Sequence, residues 1–212
     1  MELVVATRNQ DKLKEISALL RGLPLEVVSL DNFRNVPEVI ENGRTLEANA
    51  KKKAVHVSRF LGRFVVADDS GLEIEALGKE PGVHSARFSG KGATYASNNK
   101  KVLKLLNAVP RAKRTAVFRC VIAVADRGKM VGLAEGRCRG RIGFRPIGRT
   151  GFGYDPIFVP YGYKKTFAQL GLKKKNRISH RSRALIEARK IIKRYVLTHS
   201  TLLRVNFLEQ PC

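Results

Sequence analysis

Apolar positions along the chain change their period several times, and each change marks an element. LVVA from Leu3 is a short apolar run of the buried-strand kind, and after the turn TRNQ the stretch DKLKEISALL places Leu13, Ile16, Leu19 and Leu20 on one helical stripe. LEVVSL from Leu25 predicts a second strand, and TLEANAKKKAVHVSRFL predicts a helix facing inward through Leu46, Ala50, Ala54, Val57 and Leu61. FVVA from Phe64 predicts a third strand ending at Asp68 and Asp69, with LEIEAL as a separate, half-buried strand after it. SNNKKVLKLLNAV predicts a helix, and TAVFRCVIAVAD with KMVGLAEGRCRGRI predicts two long strands meeting at Arg127 and Gly128. IFV adds a short strand, and a last helix from Ser182 carries Leu185, Ala188, Ile192 and Tyr195 on its buried side. The end, LTHSTLLRVNFLEQPC, has no clear period. Interleaved strands and helices predict an α/β fold on a mixed sheet.

At 212 residues and 43% hydrophobic content the chain can bury one sizeable core. Lys and Arg total 41 against 18 Asp and Glu, a formal charge of +23 that attracts phosphates, nucleic acid or anionic membrane. The three cysteines, Cys120, Cys138 and Cys212, form no C-x-x-C pair, which argues against a disulfide framework and a zinc ribbon. The opening MELVVATRNQDK turns polar too soon for a signal-peptide core of ~7 to 15 residues. No run approaches the ~20 apolar residues of a membrane span. A cytoplasmic protein with no membrane partner is expected.

Several groups carry chemistry. Asp68 and Asp69, read as lying at a strand end, are ionised unless repulsion raises one of them. With Glu41 from a nearby loop they suit Mg²⁺, or DDSG is a turn in which Asp69 bonds the Gly71 backbone. TRNQDK opens a helix whose free N–H groups favour an anion, or it is an ordinary capped helix with solvated Lys12. Neither G-x-x-x-x-G-K-[ST] nor G-x-G-x-x-G occurs, so a nucleotide would be held by another route. GRTGFGYDP lets Phe152 project from a glycine-rich loop toward a flat ligand with Asp155 as acceptor, or buries Phe152 in the core. His180 and Arg181 fall in the first turn of a helix, where cations oppose the dipole; an anionic or carbonyl-bearing ligand explains their placement, or they are simply exposed to solvent. The runs Lys51–Lys53 and Lys173–Lys175 read as solvated faces with at most one member each reaching a site.

In combination these pieces are far more specific. TRNQDK, NGRTLEANAKKKA, VVADDSGLEIEALGKEPGVHSARFSG, RTGFGYDPIF, KTFAQL and KNRISHRSRAL follow one another in the order seen in one family. From about Leu3 to Lys193 the sequence resembles the inosine triphosphate pyrophosphatases. The resemblance implies an elongated mixed β-sheet with flanking helices and two lobes with the active cleft between them, usually as a homodimer. It implies one catalytic domain over 1–193, with 194–212 an extension of unknown structure. The activity it implies is Mg²⁺-dependent hydrolysis of ITP, dITP and XTP to the monophosphate plus pyrophosphate, which keeps deaminated purines out of DNA and RNA.

The resemblance also assigns roles. Thr7, Asn9 and Lys12 match the phosphate-binding turn, which also holds Arg8, Gln10 and Asp11. Lys53 and Lys175 match lysines that face the triphosphate. Asp69 matches the catalytic carboxylate, with Asp68 and Lys53 in the same catalytic group and Ser70 as a substrate contact. Glu41 and Asp69 match the metal ligands, Glu38 being the alternative to Glu41. Phe152, Gly153, Tyr154 and Asp155 match the base-binding segment, His180 and Arg181 the residues that read the purine edge, and Arg87 the arginine of the SAR segment. Hypoxanthine and xanthine carry an acceptor oxygen at position 6 where adenine carries an amino donor, so buried donors from His180, Arg181 or backbone would discriminate. Guanine shares that oxygen, and its rejection rests on its 2-amino group. The family commonly has ENA where this chain has Ala48-Asn49-Ala50, and GLKKKN replaces an acidic stretch. Two other readings stand beside this one: a basic nucleic-acid-binding protein on the same scaffold, and a pyrophosphatase for other modified nucleotides.

Overall fold

A computed structural model of the chain describes residues 1–208; Cys212 and the rest of 209–212 lie outside it. The elements are β1 (Glu2–Val5), α1 (Gln10–Leu20), β2 (Glu26–Ser29), α2 (Leu46–Leu61), β3 (Phe64–Ile74), β4 (Pro81–Gly82), α3 (Tyr95–Leu105), β5 (Thr115–Asp126), β6 (Lys129–Ile142), β7 (Phe158–Pro160), α4 (Phe167–Ile178) and α5 (His180–Leu208). The strands form one mixed sheet in the order β2-β1-β3-β5-β6-β7, with β4 paired to β3 beside this path. β1 runs parallel to β2 and β3, and the remaining pairs are antiparallel. α5 begins at His180, earlier than Ser182, and continues to Leu208 through most of the stretch that showed no period.

The backbone of the fold is the long hairpin of β5 and β6. Its two-residue turn, Arg127-Gly128, has both φ angles positive at 48° and 80°, the geometry that matches the natural twist of paired strands. β3 lies against β5 over its whole length, from Phe64 opposite Asp126 to Ile74 opposite Ala116. The expected break between FVVA and LEIEAL is therefore absent, and Asp68 and Asp69 sit in mid-strand. DDSG looked like a turn because of its glycine. Gly71 serves another purpose: a Cβ there would come 2.4 Å from the Gly82 oxygen, so only glycine lets β4 cross so closely.

Three apolar clusters fill the two faces of the sheet. α1 and α5 cover Leu3, Val5, Phe64, Val66, Ile122 and Val124, while α2 covers Val4, Val65, Ala67, Val121 and Ala123 on the opposite face. The third cluster, with Leu72, Ile74, Phe118, Ile142, Tyr154, Phe158 and Phe167, packs under α3 and α4 at the far end of β3, β5 and β6. Each fully buried Leu, Ile or Phe contributes about 1.5–3 kcal/mol, enough to hold each lobe together. The first and third clusters use the same face of the long strands, and the cleft opens where one layer of helices gives way to the other.

α4 was not foreseen. Its helical pattern is interrupted at Gly171, whose φ of 75° and ψ of 165° are non-helical. α5 seats directly on β6: a Cβ added to Gly136 would lie 2.2 Å from both the His180 oxygen and the Ala184 nitrogen. Gly136→Ala should push α5 off the sheet and lower stability by about 1–3 kcal/mol, read as a fall in the urea midpoint. An unchanged midpoint would show that α5 is not seated on this glycine.

Candidate active site

β1 stops at Val5, while β3 runs on. Its edge beyond Val66 therefore has no neighbouring strand on that side until β4 pairs antiparallel at Leu72. Asp69 to Leu72 line an opening, at the carboxyl end of β1, where ligands gather in open α/β sheets. Side chains on a strand alternate between faces. Asp69 turns toward α2, where the Asn49 amide donates to its Oδ2 at 3.0 Å and the Ser70 N–H to its Oδ1 at 2.9 Å. Asp68 turns toward α1 and α5, where Lys12 lies 3.1 Å and Arg181 3.2 Å from its Oδ2 and the Ser70 hydroxyl donates to it at 3.1 Å. Adjacent aspartates are thus tolerated because the pleat separates them.

The opening has two ends. The outer end is lined by Thr7, Arg8, Asn9, Lys12, Glu38, Glu41, Lys53 and Arg87. The inner end is lined by Asp69, Ser70, Phe118, Phe152, Asp155, Lys175, His180 and Arg181, and Asn9, Lys12, Glu41 and Ala86 belong to both. At the outer end the Asn9 side-chain oxygen caps α1, accepting from the N–H groups of Asp11 and Lys12. At the inner end the Phe152 ring lies under two cations, Lys175 Nζ at 4.4 Å and Arg181 Cζ at 5.5 Å. His180 stacks on Phe118, with ring centroids 4.5 Å apart and an interplanar angle of 12°.

Behind this pocket runs a chain of ion pairs. Lys12 meets Asp68, Asp68 meets Arg181, Arg181 meets Glu15, Glu15 meets Lys175 at 2.7 Å, and Lys175 meets Asp155 at 2.5 Å. Burial alone would raise the Asp68 carboxyl, but Lys12 and Arg181 hold it far below the ordinary carboxylate range. Burial opposes the charges of Lys12 and Arg181, yet the carboxylates outweigh it and both hold their protons more tightly than usual. Asp155 is pushed up by burial against the pull of Lys175. His180 is pushed well below its ordinary value, by burial first and then by Arg181 and Lys175, so it is a neutral imidazole. Among the described residues the buried His180 Nδ1 and Arg181 Nε have no hydrogen-bond partner.

Asp69 behaves differently. Burial raises its carboxyl to about 6, with a further push from Glu41, against the opposing pull of Lys12, Lys53 and Asn49. That repulsion is what a cation would relieve. No cluster of three or more His, Cys, Asp or Glu that could hold a metal occurs among the described residues. Two carboxylates on one cleft, Glu41 and Asp69, nevertheless fit Mg²⁺, which takes one or two carboxylates and completes its shell with water and phosphate oxygens. Lys53 pairs with Glu41.

Most of the expected residues meet at this cleft. Gln10 and Asp11 are not part of its lining; the Gln10 amide donates to Asp31 at 2.7 Å instead. Lys175, matched to a lysine facing a triphosphate, lies at the inner, aromatic end between Glu15 and Asp155. Asp68 is buried behind the cleft wall. Arg8 donates to the Val36 oxygen at 3.1 Å and Arg87 to the Glu41 oxygen at 3.0 Å, so each ties the outer loop in place. Tyr154 lines the pocket, but its hydroxyl bonds the Ser85 oxygen at 2.8 Å and its ring belongs to the third core cluster. Ala48 occupies the third position of α2, where its N–H bonds the Thr45 hydroxyl at 3.1 Å. A glutamate there would complete a capping box; alanine leaves it half made.

Sequence reasoning missed Glu15, Tyr95 and Phe118. Glu15 carried a signal, a lone acid on the apolar stripe next to Ile16. The other two look like ordinary surface and core aromatics, and only the fold brings them to the cleft.

Fold and cleft define the class: a two-lobed α/β protein whose cleft is rich in cations at one end and lined by aromatic rings at the other. The chain belongs to the Ham1 family, whose model matches residues 3–191. It is 48% identical over 194 residues to the dITP/XTP pyrophosphatase of Desulforamulus reducens, covering 92% of this chain and 96% of that protein. Over 191 residues it is 48% identical to the dITP/XTP pyrophosphatase of Shouchella clausii, covering 90% and 96%. Among solved structures it resembles a HAM1 protein from Coxiella burnetii, with a TM-score of 0.83 and 40% identity over 92% of this chain and 99% of that one. The Ham1 protein of Staphylococcus aureus gives 0.79 and 33% over 94% and 100%.

The raised Asp69 carboxyl makes a prediction about stability. Its folded value, about 6 against an ordinary 3.8, means that the native state binds the proton more tightly, so stability falls as pH rises through that window. The difference corresponds to roughly 3 kcal/mol at neutral pH. An amide loses one of the two accepted hydrogen bonds, so Asp69→Asn should be more stable than the parent by about 1–2 kcal/mol at pH 7.5 in chelator. The gain should disappear toward pH 4, as read from urea unfolding at both pH values. A variant less stable than the parent at pH 7.5 would contradict the repulsion described.

Proposed function

We propose that the protein hydrolyses the noncanonical purine nucleoside triphosphates ITP, dITP and XTP to the monophosphate and pyrophosphate. The observation that carries this reading is the buried, unpartnered N–H of Arg181 Nε at the inner end of the cleft. A buried donor without an acceptor is costly, and the 6-oxygen of hypoxanthine or xanthine would satisfy it where the adenine amino group would not. His180, neutral and braced on Phe118, adds an imidazole nitrogen on the same edge. The relatives from Desulforamulus reducens and Shouchella clausii are dITP/XTP pyrophosphatases, which supports dITP and XTP among these substrates.

In this reading the base stacks on Phe152, with Gly153 to Asp155 shaping its pocket and Lys175 and Arg181 over the ring. The triphosphate extends to Thr7, Asn9, Lys12 and Lys53, with Ser70 at the junction. Asp69 accepts a proton from water as the water oxygen bonds to the α-phosphorus. The α–β anhydride bond breaks, and pyrophosphate leaves with its charge stabilised by the ammonium groups of Lys12 and Lys53. Glu41 and Asp69 would hold Mg²⁺, which when bound supplies positive charge to the phosphate oxygens. Asp68 acts indirectly, by fixing Lys12 and Arg181.

The finer parts of the reading are a homodimer in the cytoplasm. No helix among the described residues is long and apolar enough to cross a membrane. The second copy would dock on the outer sheet face, where Val117 and Val159 are half-buried and Arg139 is exposed. Nucleic-acid binding has only the +23 charge in its favour.

The test is pyrophosphate release from ITP, dITP, XTP, ATP and GTP, with Mg²⁺ and with chelator. Release confined to the noncanonical nucleotides is expected, with ATP slower by on the order of 10²–10⁴-fold. Chelator should abolish it, and so should Asp69→Asn in folded protein. Equal rates on ATP and ITP would remove Arg181 from base selection, and near-normal turnover by Asp69→Asn would remove Asp69 from catalysis.

A further inference from the structure

α3 meets three separate walls of the cleft through residues spaced three and four apart, which lie on one helical face. The Asn98 amide donates to the Ala86 oxygen at 3.1 Å and accepts from the Ser89 N–H at 2.7 Å. Asn99 donates to the Gly153 oxygen at 3.0 Å, in the loop that carries Phe152. Both asparagines are buried, so the start of α3 is anchored to the inner end of the cleft. A reciprocal cap between Thr94 and Ser97 closes that start.

Tyr95, the first residue of α3, is 44% exposed at the mouth and lines the inner pocket. Its ring packs against Phe152, with centroids 5.9 Å apart and planes tilted by 42°. Its hydroxyl accepts from the Asn9 side-chain nitrogen at 2.9 Å, across 86 residues of sequence. The oxygen of the same Asn9 amide caps α1 through Asp11 and Lys12. One side chain thus touches both the aromatic end and the anion-receptive turn.

We infer that Tyr95 is a positioning residue that fixes the spacing between the base pocket and the phosphate turn. The inference rests on the reading of the cleft as a nucleoside triphosphate site. A ligand that fills both ends gains over its two halves only if the ends are held at the distance its linker spans. The phenol supplies that hold: its ring packs against Phe152, and its oxygen ties that ring to the Asn9 side chain of the phosphate turn. A half-ligand touches one end and is indifferent to the spacing.

The experiment compares wild type, Tyr95→Phe and Tyr95→Leu for KM and kcat on ITP, and for inhibition by inosine and by inorganic tripolyphosphate. Tyr95→Phe keeps the ring and removes the tie to Asn9. KM for ITP should rise about five-fold, with the loss in KM rather than in kcat, while both half-ligands stay within about two-fold of wild type. Tyr95→Leu also removes the brace on Phe152, and should raise KM by about twenty-fold or more and weaken inosine as well. A KM for ITP within two-fold of wild type in Tyr95→Phe overturns the inference. So does a five-fold weakening of either half-ligand in that variant, which would assign Tyr95 to one end alone. Wild type that neither binds nor cleaves ITP overturns the underlying reading along with it, whereas active wild type with an unaffected Tyr95→Phe overturns the spacing role only.

Discussion

The alternating chain of charge from Lys12 through Asp68, Arg181, Glu15 and Lys175 to Asp155 is the constraint on which the rest of the site depends. Three cations and three carboxylates balance one another. They come from α1, β3, the base-side loop, α4 and α5, so five segments distant in sequence are joined at one place. Each pair costs desolvation, and the chain is tolerable because nearly every member has more than one partner. Removing a member would leave a buried charge unpaired, typically a loss of 3–5 kcal/mol. What the arrangement provides is placement: Arg181, whose buried Nε has no hydrogen-bond partner, and Lys175 are both held over Phe152.

Asp69 stands apart from this balance, and two neighbouring carboxylates thus sit in opposite electrostatic surroundings. Asp68 is overcompensated by cations and stays ionised at any ordinary pH. Asp69 is buried, faces Glu41 and is undercompensated. The separation follows from the period of the strand, which points one side chain at each face of the sheet. It also needs β3 to continue past the end of β1, since only there does the Asp69 side have open space for a ligand. The glycines that make this possible, Gly71 beneath β4 and Gly136 beneath α5, act by absence of a side chain.

The helical stripes, the β5–β6 hairpin and the final helix were legible because each is a local pattern of apolar residues with a definite period. The stripe through Ile16 and Leu20 is buried as its spacing requires, and so are Leu185, Ala188 and Ile192. Two elements were not legible for local reasons as well. The DDSG stretch carries the residues of a turn yet is held in mid-strand by pairing along β5, and α4 has a non-helical glycine inside its pattern. In the site, the residue types and their order were visible, as were Glu41, Asp69, Phe152, His180 and Arg181.

The sequence alone determined the class of fold, the family resemblance and the chemical inventory of the cleft, since these depend on residue type, period and spacing. Tertiary structure alone decided how that inventory is divided. It set Asp68 among cations on one face of the sheet and Asp69 beside Asn49 and Glu41 on the other, placed Lys175 between Glu15 and Asp155, turned Gln10 toward Asp31, and brought Phe118 and Tyr95 to the cleft with Glu15 behind it. The physical reason is that burial and charge pairing are set by neighbours far apart in the chain, and no local pattern records which carboxylate will meet which cation.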